Sequence, residues 1–181
     1  MAVTGPRVGS SAFAETGFRE MSKAREKLRL VARPGKLSEM IGKSVGFFFN
    51  PVKFDGRTVQ WYGYAHSGMP ENSGSGSPNL NGGSISGDTT FEGHRVTGGP
   101  IVATDRSRGG PGVDYHIIIA GLKNAPMRMT LVDGATSQAW DLNYVSIQNQ
   151  DCYKYPGDRN SLVNFISARV GKQILVVLSR R

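Results

Sequence analysis

The chain has 181 residues, with 22 Lys+Arg against 14 Asp+Glu and a formal net charge of +8. Hydrophobic residues make up 38% and charged residues 20%, which is too apolar and too weakly charged for a chain disordered throughout. No apolar run approaches the roughly 20 residues that a membrane-spanning helix needs, and Cys152, the single cysteine, excludes an intramolecular disulfide or a cysteine-based metal cluster.

The positive charge is concentrated at the start. Residues 1–45 hold nine Lys/Arg and four Glu, so most of the excess lies in a quarter of the chain. Met1–Arg7 lacks the apolar stretch of a signal peptide. That fits a virion or cytoplasmic protein, or a mature form whose leader has gone. Residues 1–12 read as an extended arm, and 13–26 as a helix with Phe18, Met21 and Ala24 stacked at three-residue spacing. Beyond Glu26 two patterns compete. Leu28 and Leu30 alternate with Lys27 and Arg29 as a strand would, yet Met21, Leu28, Val31 and Ala32 continue a helix to Arg33. Helix followed by strand is the reading adopted, and Pro34-Gly35 stops either element.

The arm offers two candidate roles. Phe13, Phe18 and Met21 are an apolar set that could bury on another subunit. Arg19, Lys23, Arg25, Arg29 and Arg33 could neutralise phosphates, against the plainer reading of a solvated helix face. The arm lacks the run of like charges typical of a dedicated nucleic-acid tail.

From residue 44 the pattern is β, dividing the chain into a basic arm with a helix, 1–43, and a β-domain, 44–181. Ser44–Phe49 and Arg57–Tyr64 read as strands, broken by Asn50-Pro51 and turned by Asp55-Gly56. Residues 65–88 form a long Gly/Ser-rich loop. Strands are predicted at Thr89–Val96, Ile101–Thr104, Val113–Ala120 and Pro126–Val132, with Asp133-Gly134 as a turn. Two short strands follow at Gln138–Leu142 and Tyr144–Gln148, then a polar loop at Asn149–Asn160. Ser161–Val170 fits a helix or a strand. Ile174–Leu178 is fully apolar and reads as a strand inside a sheet. Eight or nine short strands with turns between them predict an all-β fold. The expected form is a two-sheet sandwich of jelly-roll or immunoglobulin-like type, with a short N-terminal helix.

Catalytic patterns are missing. His66, His94 and His116 have no metal-ligand spacing, and there is no Gly-x-Ser-x-Gly elbow. No glycine motif for phosphate survives inspection, and no pair of carboxylates is singled out. Neither a catalytic residue nor a cofactor is expected. Binding chemistry has two candidate sets. Asp105, Asp114, Asp133 and Asp141 lie in or beside loops and could hold Ca²⁺. Trp61, Trp140, Tyr153 and Tyr155 could stack on sugars, the two tyrosines from within a polar loop. The favoured expectation is a non-enzymatic structural subunit of a larger assembly, such as a viral or phage capsid, cement or tail component. Its partners would be copies of itself or other subunits, with nucleic acid reached through the arm. A carbohydrate-binding or adhesive β-sandwich is the alternative.

Overall fold

The computed structural model describes residues 8–18, 20, 23–24, 27–28, 46–55, 59–67, 69, 80–105 and 116–181. Among them are helices α1 (Val8–Thr16) and α2 (Asn160–Ser167). Seven strands precede residue 106: β1 (Phe47–Asn50), β2 (Val52–Asp55), β3 (Val59–Gly63), β4 (Ser84–Gly87), β5 (Thr90–Phe91), β6 (His94–Gly98) and β7 (Ile101–Asp105). Five follow: β8 (Ile117–Ile119), β9 (Met127–Asp133), β10 (Thr136–Ile147), β11 (Gln150–Lys154) and β12 (Ile174–Arg180).

Nine strands form one antiparallel sheet in the order β4-β1-β12-β9-β10-β11-β8-β6-β5, and β2-β3-β7 form a second. The large sheet curls through β10. Its first half pairs with β9, ending at Leu142 opposite Met127, and its second half pairs with β11, starting at Asn143 opposite Lys154. One long strand thus pairs with a different neighbour through each half and stays within one curled sheet. The two short strands expected at 138–142 and 144–148 are therefore one. The fold is mostly β as expected, but this strand order does not establish a jelly-roll or immunoglobulin-like sandwich.

Pro51 moves the chain from the large sheet to the small one. It has no N–H to give a ladder, so β1 stops at Asn50 and β2 starts at Val52 in the other sheet. Alternation then sets the core. On β9 and β12, Met127, Met129, Leu131, Ile174, Val176 and Leu178 are buried, while Arg128 and Arg180 are exposed. β12 lies between β1 and β9, inside the sheet, as its sequence predicts. α2 packs on β3 and β7 and inserts Leu162, Val163, Phe165 and Ile166 into this main core. That resolves 161–170 in favour of a helix.

A second, smaller core lies behind β7 and β8. Val102, Ile117 and Ile119 face the main core, whereas Ile101, Ala103 and Ile118 join Trp61, Met69 and Cys152 in the other. These short strands are covered on both faces, which is why they read as unbroken apolar runs.

Three expected loops and strands differ. Thr89–Val96 is a hairpin rather than one strand. Phe91 pairs with His94, and Glu92 and Gly93 between them both have positive φ, at 53° and 81°, the signature of a two-residue I′ turn. The polar stretch after Asn149 holds β11, held between β10 and β8. The loop expected at 65–88 is narrower, because Ala65 bridges to Gly82 and β4 pairs with β1. Residues 70–79 lie outside the described residues.

Candidate functional site

The arm meets the β-domain across a groove. Residues 8–12 are not extended, because α1 runs through them. Gly17, at φ 75°, ends the helix, and its N–H donates to the Phe13 carbonyl at 2.7 Å. Ala12 and Thr16, four apart, share a buried face, whereas Phe13 and Phe18 are 40% and 41% exposed. Helical hydrogen bonds recur further on, from Ala24 to Glu20 and from Leu28 to Ala24. At Leu28 the helical option therefore holds over the strand. Ala24 and Leu28 are both buried.

Ala14 and Glu15 of α1 form one wall of this groove of about 500 Å³, with Phe47, Asp88, Phe91 and Glu92 opposite. Lys27 reaches Asp88 at 3.4 Å and ties the arm to the β-domain. Burial would raise the Asp88 carboxyl, but the Thr90 hydroxyl at 2.6 Å and Lys27 outweigh it and hold it below the usual range. Across the groove mouth, Arg180 pairs with Glu92, with Nε 2.9 Å from Oε1, and fixes the hairpin tip.

A second groove, of about 370 Å³, lies on the other side of the β5–β6 hairpin region. It is lined by Tyr64, His66, Ile85, Thr89, Arg95 and Thr97. A bulge shapes it. Val96 pairs with Ile119 and Gly98 with Ile118, so Thr97 is an extra residue on β6. The Thr97 carbonyl lies 2.7 Å from His66 Nε2. A carbonyl only accepts, so His66 donates from Nε2. The Tyr64 and His66 rings are 5.8 Å apart. A third, shallower groove is lined by Lys53, Tyr62, Asn164, Ser167 and Val170.

His116 is the buried histidine among the described residues. It is fully buried, and its Nδ1 donates to the Ile101 carbonyl at 3.0 Å. Its Nε2 has no partner among the described residues. Burial pushes its pKa down to about 4, and the Arg159 and Lys154 charges act in the same direction.

The residues singled out from sequence fare differently. Trp61, Trp140 and Tyr153 are buried, at 4%, 2% and 0% exposure, so they offer no open stacking face. The Trp140 indole donates to Ser161 Oγ at 2.9 Å, and its ring meets Phe165 edge-on. The Tyr153 hydroxyl donates to the Leu122 carbonyl at 2.9 Å, and burial pushes its pKa up to about 12. These are core aromatics whose polar ends are satisfied inside. Tyr155 is half-buried against the main core.

Of the four aspartates, Asp133 and Asp141 are each held by an arginine. Asp133 pairs with Arg169 at 3.0 Å, and Asp141 takes Arg128 through two hydrogen bonds of 2.7 and 3.2 Å. The Arg128 hydrogen bond holds the Asp141 carboxyl below its usual range. Carboxylates neutralised by guanidinium groups are poor Ca²⁺ ligands, and no group of three or more His, Cys, Asp or Glu gathers among the described residues. Asp105 ends β7, and Asp114 lies outside the described residues, as do Met21, Arg19, Arg25, Arg29 and Arg33. Lys23 pairs with the exposed Glu20 at 3.0 Å. Sequence reasoning missed Arg95, His66 and Thr97. They meet only through the bulge and the chain after β3, so no local spacing announces them.

The first 41 residues decide the comparison. Residues 1–41 match the family described as Phage tail fibre adhesin Gp38 N-terminal domain. The match takes in the arm and α1 and stops before β1. It suggests a phage tail structural or adhesin protein, and so a virion component built into a multi-subunit assembly. No curated protein and no solved structure gives a significant match. Among the described residues no helix is long and apolar enough to cross a membrane.

Proposed function

We propose that this chain is a phage tail component in which residues 1–41 mount the molecule on a neighbouring tail subunit and the β-domain is presented outward. The match over residues 1–41 carries this reading. The partly exposed Phe13 and Phe18 support it, since apolar rings that show about 40% of their surface on a short arm suit a subunit contact. The same match favours a tail position over a capsid or cement one. Among the described arm residues Lys23 and Lys27 are both engaged by carboxylates, which does not favour a nucleic-acid contact through them.

We further propose that the β-domain acts by binding rather than by catalysis. Its one fully buried histidine is spent on a hydrogen bond to the Ile101 carbonyl, and the polar groups lining the open grooves suit ligand contacts. The test is incorporation. Phage particles grown with the chain lacking residues 1–41 are purified and their proteins quantified by mass spectrometry. The truncated chain is expected to be absent from particles, and so is a Phe13→Ser, Phe18→Ser chain that keeps the buried arm residues Ala12, Ala24 and Leu28. Incorporation at the full-length level would overturn the mounting role.

A further inference from the structure

We propose that the groove lined by Tyr64, His66, Thr89, Arg95 and Thr97 binds an acidic saccharide, with the sugar's carboxylate or phosphate on Arg95 and its ring against Tyr64. This deepens the reading of the chain as a tail adhesin component and rests on it for the setting. The groove itself is argued from its own chemistry.

Arg95 is the first observation. It is exposed, and it has no carboxylate partner among the described residues, whereas Arg128, Arg169 and Arg180 are each paired with one. A guanidinium is a planar fork that matches a carboxylate or phosphate through two hydrogen bonds. Asp88, next to Thr89 in the chain, lines the other groove and is occupied by Lys27 and Thr90. It does not neutralise Arg95.

The second observation is the set of groups around that cation. The hydroxyls of Thr89 and Thr97 make no hydrogen bond among the described residues, so both are available to sugar hydroxyls. Tyr64 is held in place, with its N–H on the Pro100 carbonyl at 3.0 Å and its ring beside His66. A fixed aromatic face beside hydroxyls and one cation is what a charged sugar ring needs. The bulge at Thr97 and the His66 hydrogen bond hold this wall in shape before any ligand arrives, which lowers the cost of binding.

Size and charge choose among anions. A volume of about 370 Å³ holds one or two sugar rings. A single guanidinium balances one charge, whereas a nucleic-acid strand is held by several. A bare phosphate ion would leave Tyr64 and Ile85 unused.

Calorimetric titration of the full chain tests this. The probes are sialyllactose for a carboxylated sugar and glucose 6-phosphate for a phosphorylated one. Lactose, glucose, inorganic phosphate and a single-stranded oligonucleotide serve as comparisons. At least one acidic sugar is expected to bind, with its neutral parent at least about tenfold weaker. Arg95→Gln should weaken the acidic sugar at least about tenfold with an unchanged melting temperature. Tyr64→Ala should weaken the sugar and leave inorganic phosphate alone. The preference between sialyllactose and glucose 6-phosphate tells which acid the groove takes. Equal binding by Arg95→Gln would overturn the proposal. So would no acidic sugar bound at millimolar concentration, or binding of the oligonucleotide alone. A chain that enters phage tails but binds neither acidic sugar sinks the groove and spares the tail reading. A chain that binds the sugar but never enters particles does the reverse.

Discussion

Acid should destabilise this protein through His116, in a pH window that its geometry sets. The side chain is fully buried, donates once, and has its pKa pushed by burial from the usual 6.5 down to about 4. The unfolded chain therefore takes up a proton on this imidazole as pH falls through 6.5, while the folded chain does not until about 4. Stability is lost across that interval as pH falls, because the unfolded state binds more protons there. A shift from 6.5 to about 4 is worth about 3 kcal/mol in full, and about 2 kcal/mol of it is gone by pH 5. For a chain of this size, 2 kcal/mol is roughly 4–8 °C in melting temperature.

The assay is urea unfolding of the full chain and of His116→Gln at pH 7 and pH 5. The variant should start less stable, because it breaks the hydrogen bond to Ile101, but should lose about 2 kcal/mol less between the two pH values. Asp88 and Asp141, whose folded pKa values are lowered from 3.8, lose their contribution only as pH falls further. They are also common to both proteins. Parallel losses in the two proteins would refute the argument, as would a directly measured His116 pKa near 6.5.

Other substitutions test other parts of the structure. Ser161→Ala removes the acceptor of the buried Trp140 indole N–H and should cost about 1–2 kcal/mol in urea unfolding, with a change in tryptophan emission. Gly63→Ala should be worse, by about 2–4 kcal/mol by calorimetry. Gly63 has φ 146°, and a Cβ there would run into the Pro100 carbonyl. Phe13→Ser with Phe18→Ser should leave the melting temperature within about 2 °C, since both rings are already exposed. The same double variant should enter phage particles poorly. Full incorporation would remove Phe13 and Phe18 from the mounting contact.

Where burial alone sets the pattern, the sequence carries it openly. Met127, Met129 and Leu131 alternate with Arg128 and Thr130 because one face of β9 is core and the other is not. The run Ile117–Ile119 is unbroken because both faces of β8 are covered. Partner-imposed elements are harder to see. β11 reads as a polar loop, yet β10 and β8 pair with it on either side, and its Gln148-Asn149 turn lacks the glycine that marks such hairpins. The jump of Tyr153 from presumed loop to core has the same cause. The end of α1 was written in Gly17 and passed over, since Phe18, Met21 and Ala24 kept a helical spacing beyond it. The two grooves beside the β5–β6 hairpin were not legible, because each gathers side chains from strands distant in sequence and one depends on a bulge. The arm was legible as a separate segment through its charge, though not for the partner it suits.

The proposed mounting of the chain on a phage tail rests on the match of residues 1–41 to a tail-fibre adhesin N-terminal domain. Immunogold electron microscopy of intact particles, with antibody raised against the β-domain of the chain, tests it most directly. Gold is expected on the tail fibres of particles carrying the full chain, and bare fibres when residues 1–41 are deleted. Gold on the capsid shell, or fibres labelled equally well without those residues, would contradict it.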